Sequence, residues 1–449
     1  MRTHFLSLLG MLILVSCDNS PWEPSEDKAN AYELKWVKNM GGSQEDIAHA
    51  VVATQDGGFA ILGNTQSIDG DITDKSEEVS DLWLLKFSAD FTLEWSKTYG
   101  GSGDDRGHSL VQLADGGYAL LGYSMSDDGD ASVNQGQHDN WVLRVDSNGT
   151  LLWERSFGYS GHDHAYSIIK TSDGGLLFNG FLDVTSSNGE GATAKKNAPS
   201  ALHGVGEFWI HKINLDGSLA WRRYFGGTNN DRSYDAVETE DGGYVVVGTS
   251  ESDDVEISNA RGGYDVWVIK LDSEGDLLWE KSLGGSGVDG ANGVALSGDR
   301  IVVIGNSFSN DLDISSPMGS SDFWLLTLNE AGNLLNETSL GGSDFDMGRD
   351  LWINENQEIW LSGYSQSSDI DLKTNEGSND MVLMRLSQNY LPQQTFSLGG
   401  SGLDIAHSIT GLSNGGILVV GTTESTDGIF ADNRGDKDLI IAFWDVILE

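Results

Sequence analysis

The chain has 449 residues and a formal net charge of −43. A surface this acidic repels nucleic-acid phosphates and anionic lipid headgroups, and no basic stripe overrules it, so neither is expected as a partner. Apolar residues make up 38% of the chain, enough for a real core and against disorder, while 58 glycines against 5 prolines point to a turn-rich fold.

The chain opens with "MRTHFLSLLGMLILVSC", in which Arg2 precedes an apolar run from Phe5 to Val15. That run is too short to span a bilayer and has the form of a secretory signal. Its end, "LVSC", resembles the bacterial lipobox; the resemblance implies cleavage before Cys17 and lipid attachment there. Cys17 is the sole cysteine, so no intramolecular disulfide forms. The expected organisation is a signal peptide over 1–16, a polar tether over 17–30 and a single repeat domain over 31–449. The expected location is the bacterial cell envelope, anchored by lipid, with the outer membrane the expected site. The lipid is then the one contact with a membrane.

A phrase of the type "TYGGSGDD" recurs seven times, its first glycine at Gly41, Gly100, Gly158, Gly226, Gly284, Gly341 and Gly399. The intervals are 59, 58, 68, 58, 57 and 58 residues, the mark of an array of one supersecondary unit. In the unit starting at Gly100, "DRGHSLVQLA" reads as a first strand, "DGG" as a turn and "YALLGYS" as a second strand buried on both faces. A long polar loop follows, "MSDDGDASVNQGQH"; then "DNWVLRVD" is a third strand, "SNG" a turn and "TLLWERSF" a fourth strand. Four short antiparallel strands make a propeller blade. The acid opening each third strand, from Asp81 to Asp380, lies 19 residues before the next phrase, and after Asp438 the last fourth strand is missing. The N-terminal "AYELKWVKNMGG" supplies it, with Trp36 spaced before Gly41 as Trp95 is before Gly100. The expected fold is therefore all-β, a seven-bladed propeller closed by the N-terminal strand as outer strand of blade seven, which removes exposed sheet edges.

Through "GGSGxD", "DGGY", "GxTxS" and "GxxDxWVxKL" the units resemble the SBBP beta-propeller repeat of bacterial secreted proteins and lipoproteins, over about Glu33 to Glu449. The resemblance implies the architecture and no common reaction. Asn336 and Gln394 depart from it where other units have the fourth-strand Trp, Val382 and Ile440 at the third-strand Trp, and "GYSGHD" at the third phrase.

Seven aspartates, Asp46, Asp105, Asp163, Asp231, Asp289, Asp346 and Asp404, each stand five residues after the first glycine of their phrase. A residue present in every blade is best explained by something every blade needs, and repulsion among seven closely spaced carboxylates opposes a shared cation site. They read as acceptors for loop N–H groups. The acids opening the third strands read as scaffold too. The second-strand glycines, from Gly63 to Gly421, read as room for a neighbouring aromatic.

The long loops vary and carry acid-x-acid pairs: Asp69/Asp71, Asp128/Asp130, Asp254/Glu256, Asp311/Asp313 and Asp369/Asp371. Alternate carboxylates in a turn are candidate calcium ligands; the alternative is that they cap the turn. In the third unit an insert, "TSSNGEGATAKKNAPSALHGVG", carries Lys195, Lys196 and His203, a positive island that is either a partner-contact loop or a passive insertion. Catalytic signatures are lacking: there is no His-Glu-x-x-His, no Gly-x-Ser-x-Gly and no free nucleophilic cysteine. "GHDHAY" brings His162, Asp163 and His164 together, but further metal ligands are not locatable in the sequence. The expected function is a non-catalytic binding or scaffold module, no enzyme, with calcium the one candidate cofactor. Its loops are poor in the aromatics that stack on sugars, which points to a protein partner at the long-loop face. The alternatives are a calcium-stabilised structural envelope protein and an enzyme, a hydrolase, lyase or quinoprotein-like propeller.

Overall fold

The computed structural model describes residues 31–187, 204–372 and 374–447. The signal segment, Cys17, the tether, and Lys195, Lys196 and His203 of the insert lie outside the described residues. Twenty-eight strands form seven sheets of four antiparallel strands. Blade one runs from Asp46 to Tyr99, blade two from Asp105 to Phe157 and blade three from His164 to Phe225. Blades four, five and six start at Asp231, Asp289 and Asp346, and blade seven at Asp404. Strand β1 (Tyr32–Met40) pairs antiparallel with β28 (Asp438–Val446) and completes blade seven. The closing seam uses the same contact as the others: the Asp46 N–H donates to Lys437 O at 2.8 Å, as Asp105 donates to Ser80 O at 2.7 Å and Asp289 to Tyr264 O at 2.8 Å.

Second and third strands are buried along their whole length, which is why they read as continuous apolar runs. The third-strand tryptophans Trp83, Trp141, Trp209, Trp267 and Trp324 are fully buried between blades. The fourth-strand tryptophans are only partly buried; Trp153, Trp221 and Trp279 donate Nε1–H to the turn carbonyls of Leu215, Ser273 and Glu330 in the next blade. The "DGG" turns behave as their composition demands: Gly57, Gly116, Gly174, Gly242 and Gly415 have φ between 77° and 89°.

The recurring aspartates are fully buried acceptors. Asp289 takes the Gly285 N–H at 2.7 Å and the Ser309 hydroxyl at 2.8 Å, and bonds the Ser307 hydroxyl at 2.5 Å. Equivalent sets surround Asp46, Asp105, Asp231, Asp346 and Asp404. The second-strand glycines are required first by backbone rather than by the aromatic packing expected of them, which only Gly363 shows among its nearest contacts, with Phe323 Cζ 2.8 Å from where its Cβ would stand. A Cβ on Gly63 would lie 1.7 Å from Ile47 O, and one on Gly122 1.8 Å from Arg106 O, so the first strand's own backbone occupies the space. That close approach belongs to a bulge. In every innermost strand the pairing register skips one residue three positions after the Asp, as between Ala48 and Ala50 or Gly348 and Asp350. The skipped residue turns toward the propeller axis.

Candidate metal centre

Each seam joins two positions that are far apart in sequence. The residue before a third-strand acid bridges the residue before the next blade's recurring Asp, and at the seam of blades two and three these are His138 and His162. The Asp163 N–H fastens them by donating to His138 O at 2.7 Å. His164 follows on the first strand of blade three and stacks on Tyr123 of blade two, with centroids 4.2 Å apart and planes 13° apart.

The three imidazoles converge on one atom. His138 Nδ1 lies 2.8 Å from His162 Nδ1 and 3.1 Å from His164 Nε2. Among the described residues these three form the one group of three or more His, Cys, Asp or Glu whose ligand atoms all lie within 4.8 Å of one another. A tetrahedral zinc ion with Zn–N near 2.0–2.1 Å sets its nitrogens ~3.3 Å apart, close to this spacing. The proton arithmetic favours a cation as well. His138 Nε2 is buried without a hydrogen-bond partner and faces the Asp104 carboxylate at 3.8 Å, the side on which a proton is electrostatically favoured. Nδ1 then offers one in-plane lone pair to two neighbouring ring nitrogens.

Asp104 stands on the side of His138 where metal-bound imidazoles commonly have a carboxylate, at ion-pair rather than hydrogen-bond distance. Arg106 Nε bonds both its oxygens, at 3.0 and 3.1 Å. Burial works against the Asp104 charge, but His138 and Arg106 outweigh it and hold the carboxyl below its ordinary range. Burial, and then the neighbouring rings and Arg232 and Arg106, push His164 down to about 3; burial and His138 lower His162. Neutral imidazole is the form that ligates.

The cluster lines an open cleft of ≈ 370 Å³ on the long-loop face, together with Phe181, Asp183, Val205 and Arg232. Arg232 lies 4.5 Å over the Phe181 ring. Blade three departs from the repeat here. Leu182 and Val184 stand where the other blades have hydroxyls, so Asp163 accepts only the N–H groups of Tyr159 at 2.7 Å and Asp183 at 3.0 Å. Burial pushes its carboxyl up to about 7.

The acid-x-acid pairs sit apart from this centre, and each clasps the Gly-Gly link of its own blade. Asp69 Oδ1 accepts the Ser43 N–H at 2.7 Å and Asp71 Oδ2 the Gly41 N–H at 3.1 Å. Asp128 and Asp130 hold Ser102 and Gly100 in the same way, Asp254 and Glu256 hold Thr228 and Gly226. Asp311 and Asp313 hold Ser286 and Gly284, and Asp369 and Asp371 hold Ser343 and Gly341. Sequence reasoning placed His162 and His164 together but missed His138, which ends a long polar loop. The available signal was positional: across a seam, the residue before a third-strand acid faces the residue before the next recurring Asp.

No protein-family model matches the chain. It is 24% identical over 204 residues to the regulatory protein FlaEY of Caulobacter vibrioides, covering 43% of this chain and 21% of that protein. The chain thus spans about a fifth of the length of the curated relative it matches. Among solved structures, the Pan2 WD40 domain of Neurospora crassa gives a TM-score of 0.48 at 10% identity, over 92% of this chain and 96% of that one. Puromycin hydrolase gives a TM-score of 0.48 at 12% identity, over 85% of this chain and 51% of that one.

Proposed function

We propose that this chain is a lipid-anchored propeller of the bacterial envelope that binds a protein partner at its long-loop face, with a divalent transition metal on His138, His162 and His164 as the fixed point of recognition. The observation that carries the reading is the convergence of three imidazole nitrogens in a cleft open to that face. An all-nitrogen set suits zinc, nickel, cobalt or copper rather than calcium. Three protein ligands leave a tetrahedral ion one position for a carboxylate or imidazole from the partner. The anchor rests on "LVSC" and Cys17. In this reading the acid-x-acid pairs are architectural, because each spends oxygens on link N–H groups and calcium takes six to eight oxygens.

The test is a zinc titration of the full chain by calorimetry, with cobalt(II) absorption to report coordination number. One equivalent should bind, and His164→Ala should weaken it by ~100-fold or more, with Asp104→Asn losing about tenfold through His138. Failure of the wild-type chain to bind, or an unchanged affinity in His164→Ala, rejects the metal. Capture of a partner from envelope extracts that survives EDTA and His138→Ala unchanged rejects the metal's role in recognition.

The open ligand position favours one second reading, metal-assisted hydrolysis, since three ligands and a free site are the pattern of hydrolytic zinc. Turnover of an ester and amide panel that disappears in His138→Ala would support it over binding alone.

A further inference from the structure

The bulge that crowds the second-strand glycines also builds a ring at the axis. The seven skipped residues are His49, His108, Tyr166, Tyr234, Asn292, Arg349 and His407, and all are partly exposed, as channel-lining side chains are. Neighbouring blades bring them into contact. Ring centroids are 5.4 Å apart for His407 and His49, 4.6 Å for His49 and His108, 5.5 Å for His108 and Tyr166, and 5.2 Å for Tyr166 and Tyr234. Asn292 Nδ2 donates to Gly348 O at 2.7 Å, beside Arg349.

None of the ring members is a carboxylate, and all but His49, whose Nε2 pairs with Asn64 Oδ1 at 2.9 Å, offer an N–H or O–H. On a chain with net charge −43 that composition is a departure. Most arginines of the described residues have an acid or a carbonyl within reach, as Arg144 has Asp115 and Arg261 has Asp313. Arg349 has no hydrogen bond and no ion pair among the described residues, and its charge is felt by His49, His108, His407 and Tyr234. His108 Nε2 is buried without a hydrogen-bond partner. The nearest acids on the same strands are turned away and used: Asp235 accepts the Ser167 hydroxyl at 2.7 Å and the Val294 N–H at 2.9 Å, and Asp350 accepts the Ile409 N–H at 2.9 Å. Burial keeps the three imidazoles neutral, so Arg349 carries the charge of the ring.

We propose that the waist of the axial channel is a binding site for a small tetrahedral oxyanion of the phosphate class, held by the Arg349 guanidinium and by N–H and O–H groups of the surrounding ring. A guanidinium matches two oxygens of such an ion with parallel N–H donors. Imidazole, phenol and amide donors approach from other directions around the axis, which suits an anion with oxygens on all sides better than a planar carboxylate. The site is distinct from the metal centre, since His138 and His162 lie outside the ring and His164 meets it edge-on at Tyr166, 6.4 Å between centroids, and through Tyr123, which also packs on His108.

The test is calorimetric titration of the full chain with sodium phosphate in a chloride buffer at neutral pH, repeated with sulfate and with acetate. Phosphate should bind with one site per chain, sulfate comparably, and acetate at least about tenfold more weakly. Arg349→Met should lose phosphate binding and His407→Leu should weaken it several-fold, while His138→Ala, which removes the proposed metal, leaves it unchanged. Circular dichroism identifies any variant that fails to fold; His407→Leu and the anion comparison on the wild-type chain then decide. A wild-type chain that binds no phosphate, an Arg349→Met chain that folds and binds it normally, or acetate equal to phosphate overturns the proposal. Loss of phosphate binding in His138→Ala also overturns it, by moving the anion to the metal centre.

Discussion

Replacing Asp289 by alanine tests the claim that the recurring aspartates hold the blades together. Asp289 is the end of two short chains of hydrogen bonds. The Gly287 N–H donates to Ser309 Oγ at 2.8 Å, and the Ser309 hydroxyl donates to Asp289 Oδ2 at 2.8 Å. The Ser309 N–H donates to Ser307 Oγ at 3.1 Å, and the Ser307 hydroxyl donates to Asp289 Oδ1 at 2.5 Å. The Gly285 N–H adds a third bond at 2.7 Å. Alanine leaves two hydroxyl protons and one N–H without acceptors in a place where Asp289 itself is 0% exposed. Bonds to a charged acceptor contribute ~1.5–3 kcal/mol each, and rotation of the two hydroxyls toward other acceptors recovers part, so the expected loss is ~3–5 kcal/mol. Asp311→Ala, which removes an exposed acceptor of the Ser286 N–H, should cost about 1 kcal/mol or less. Urea denaturation followed by tryptophan fluorescence measures both. Amide exchange should show Gly285 and Gly287 opening first in the Asp289 variant. A loss below about 1 kcal/mol for Asp289→Ala would refute the scaffold argument.

Three further outcomes follow from the same geometry. Burial pushes the carboxyls of Asp81 and Asp438 from 3.8 up to about 6, so the folded state binds more protons across that window and stability falls as pH rises through it. Asp241, which Lys270 holds at about 2, weakens the fold only as pH drops below its unfolded value, so the urea midpoint should peak near pH ~4 and fall from there to pH ~6; a flat or rising midpoint over that window contradicts this. Gly122→Ala places a Cβ 1.8 Å from Arg106 O and should cost at least ~3 kcal/mol, against about 1–2 kcal/mol for Gly116→Ala, where only positive φ is at stake; the reverse order of midpoints would sink the bulge argument. Melting in EDTA and then in millimolar calcium should match the magnesium control, and a calcium-specific rise of several degrees would instead make the acid-x-acid pairs metal ligands.

How much of this was legible depends on whether a feature repeats and whether it stays on one strand. The blades, their turns and the closing strand follow from a fixed period, because each unit buries the same faces against its neighbours. The role of Asp46 and its six counterparts follows from recurrence alone. Gly63 was legible as a close approach but not as an approach to Ile47 O, since a bulge breaks the alternation by which side chains are assigned to faces. The same break hides the axial ring: counting by twos from Asp346 does not announce that Arg349 faces the axis. The acid-x-acid pairs looked like local turns, yet Asp69 holds a backbone N–H 26 residues away. His138 was invisible for a related reason, because its partners belong to another blade and only the seam brings them together.

These failures share a cause that bears on function. A propeller of this kind spends identical side chains on identical tasks, so a residue that breaks the series is released from the task. Blade three is where the series breaks most. Its phrase lacks the second glycine, Leu182 and Val184 displace the hydroxyls that elsewhere serve the recurring Asp, and Asp183 offers a backbone N–H in their place. The carboxylate of Asp163 still ties the strand, now through two backbone donors, so the fold is preserved while its flanking positions are free to carry imidazoles. The axial ring obeys the same logic in another layer. The residues around it, Ala48, Ala165, Ala291 and Ala406, are small and fully buried because they pack against the neighbouring blade, whereas the bulged position next to each of them packs against nothing common to all blades. It accordingly varies from histidine to tyrosine, asparagine and arginine. In both places the chemistry sits one residue away from an invariant structural contact, which fixes its position without restricting its identity.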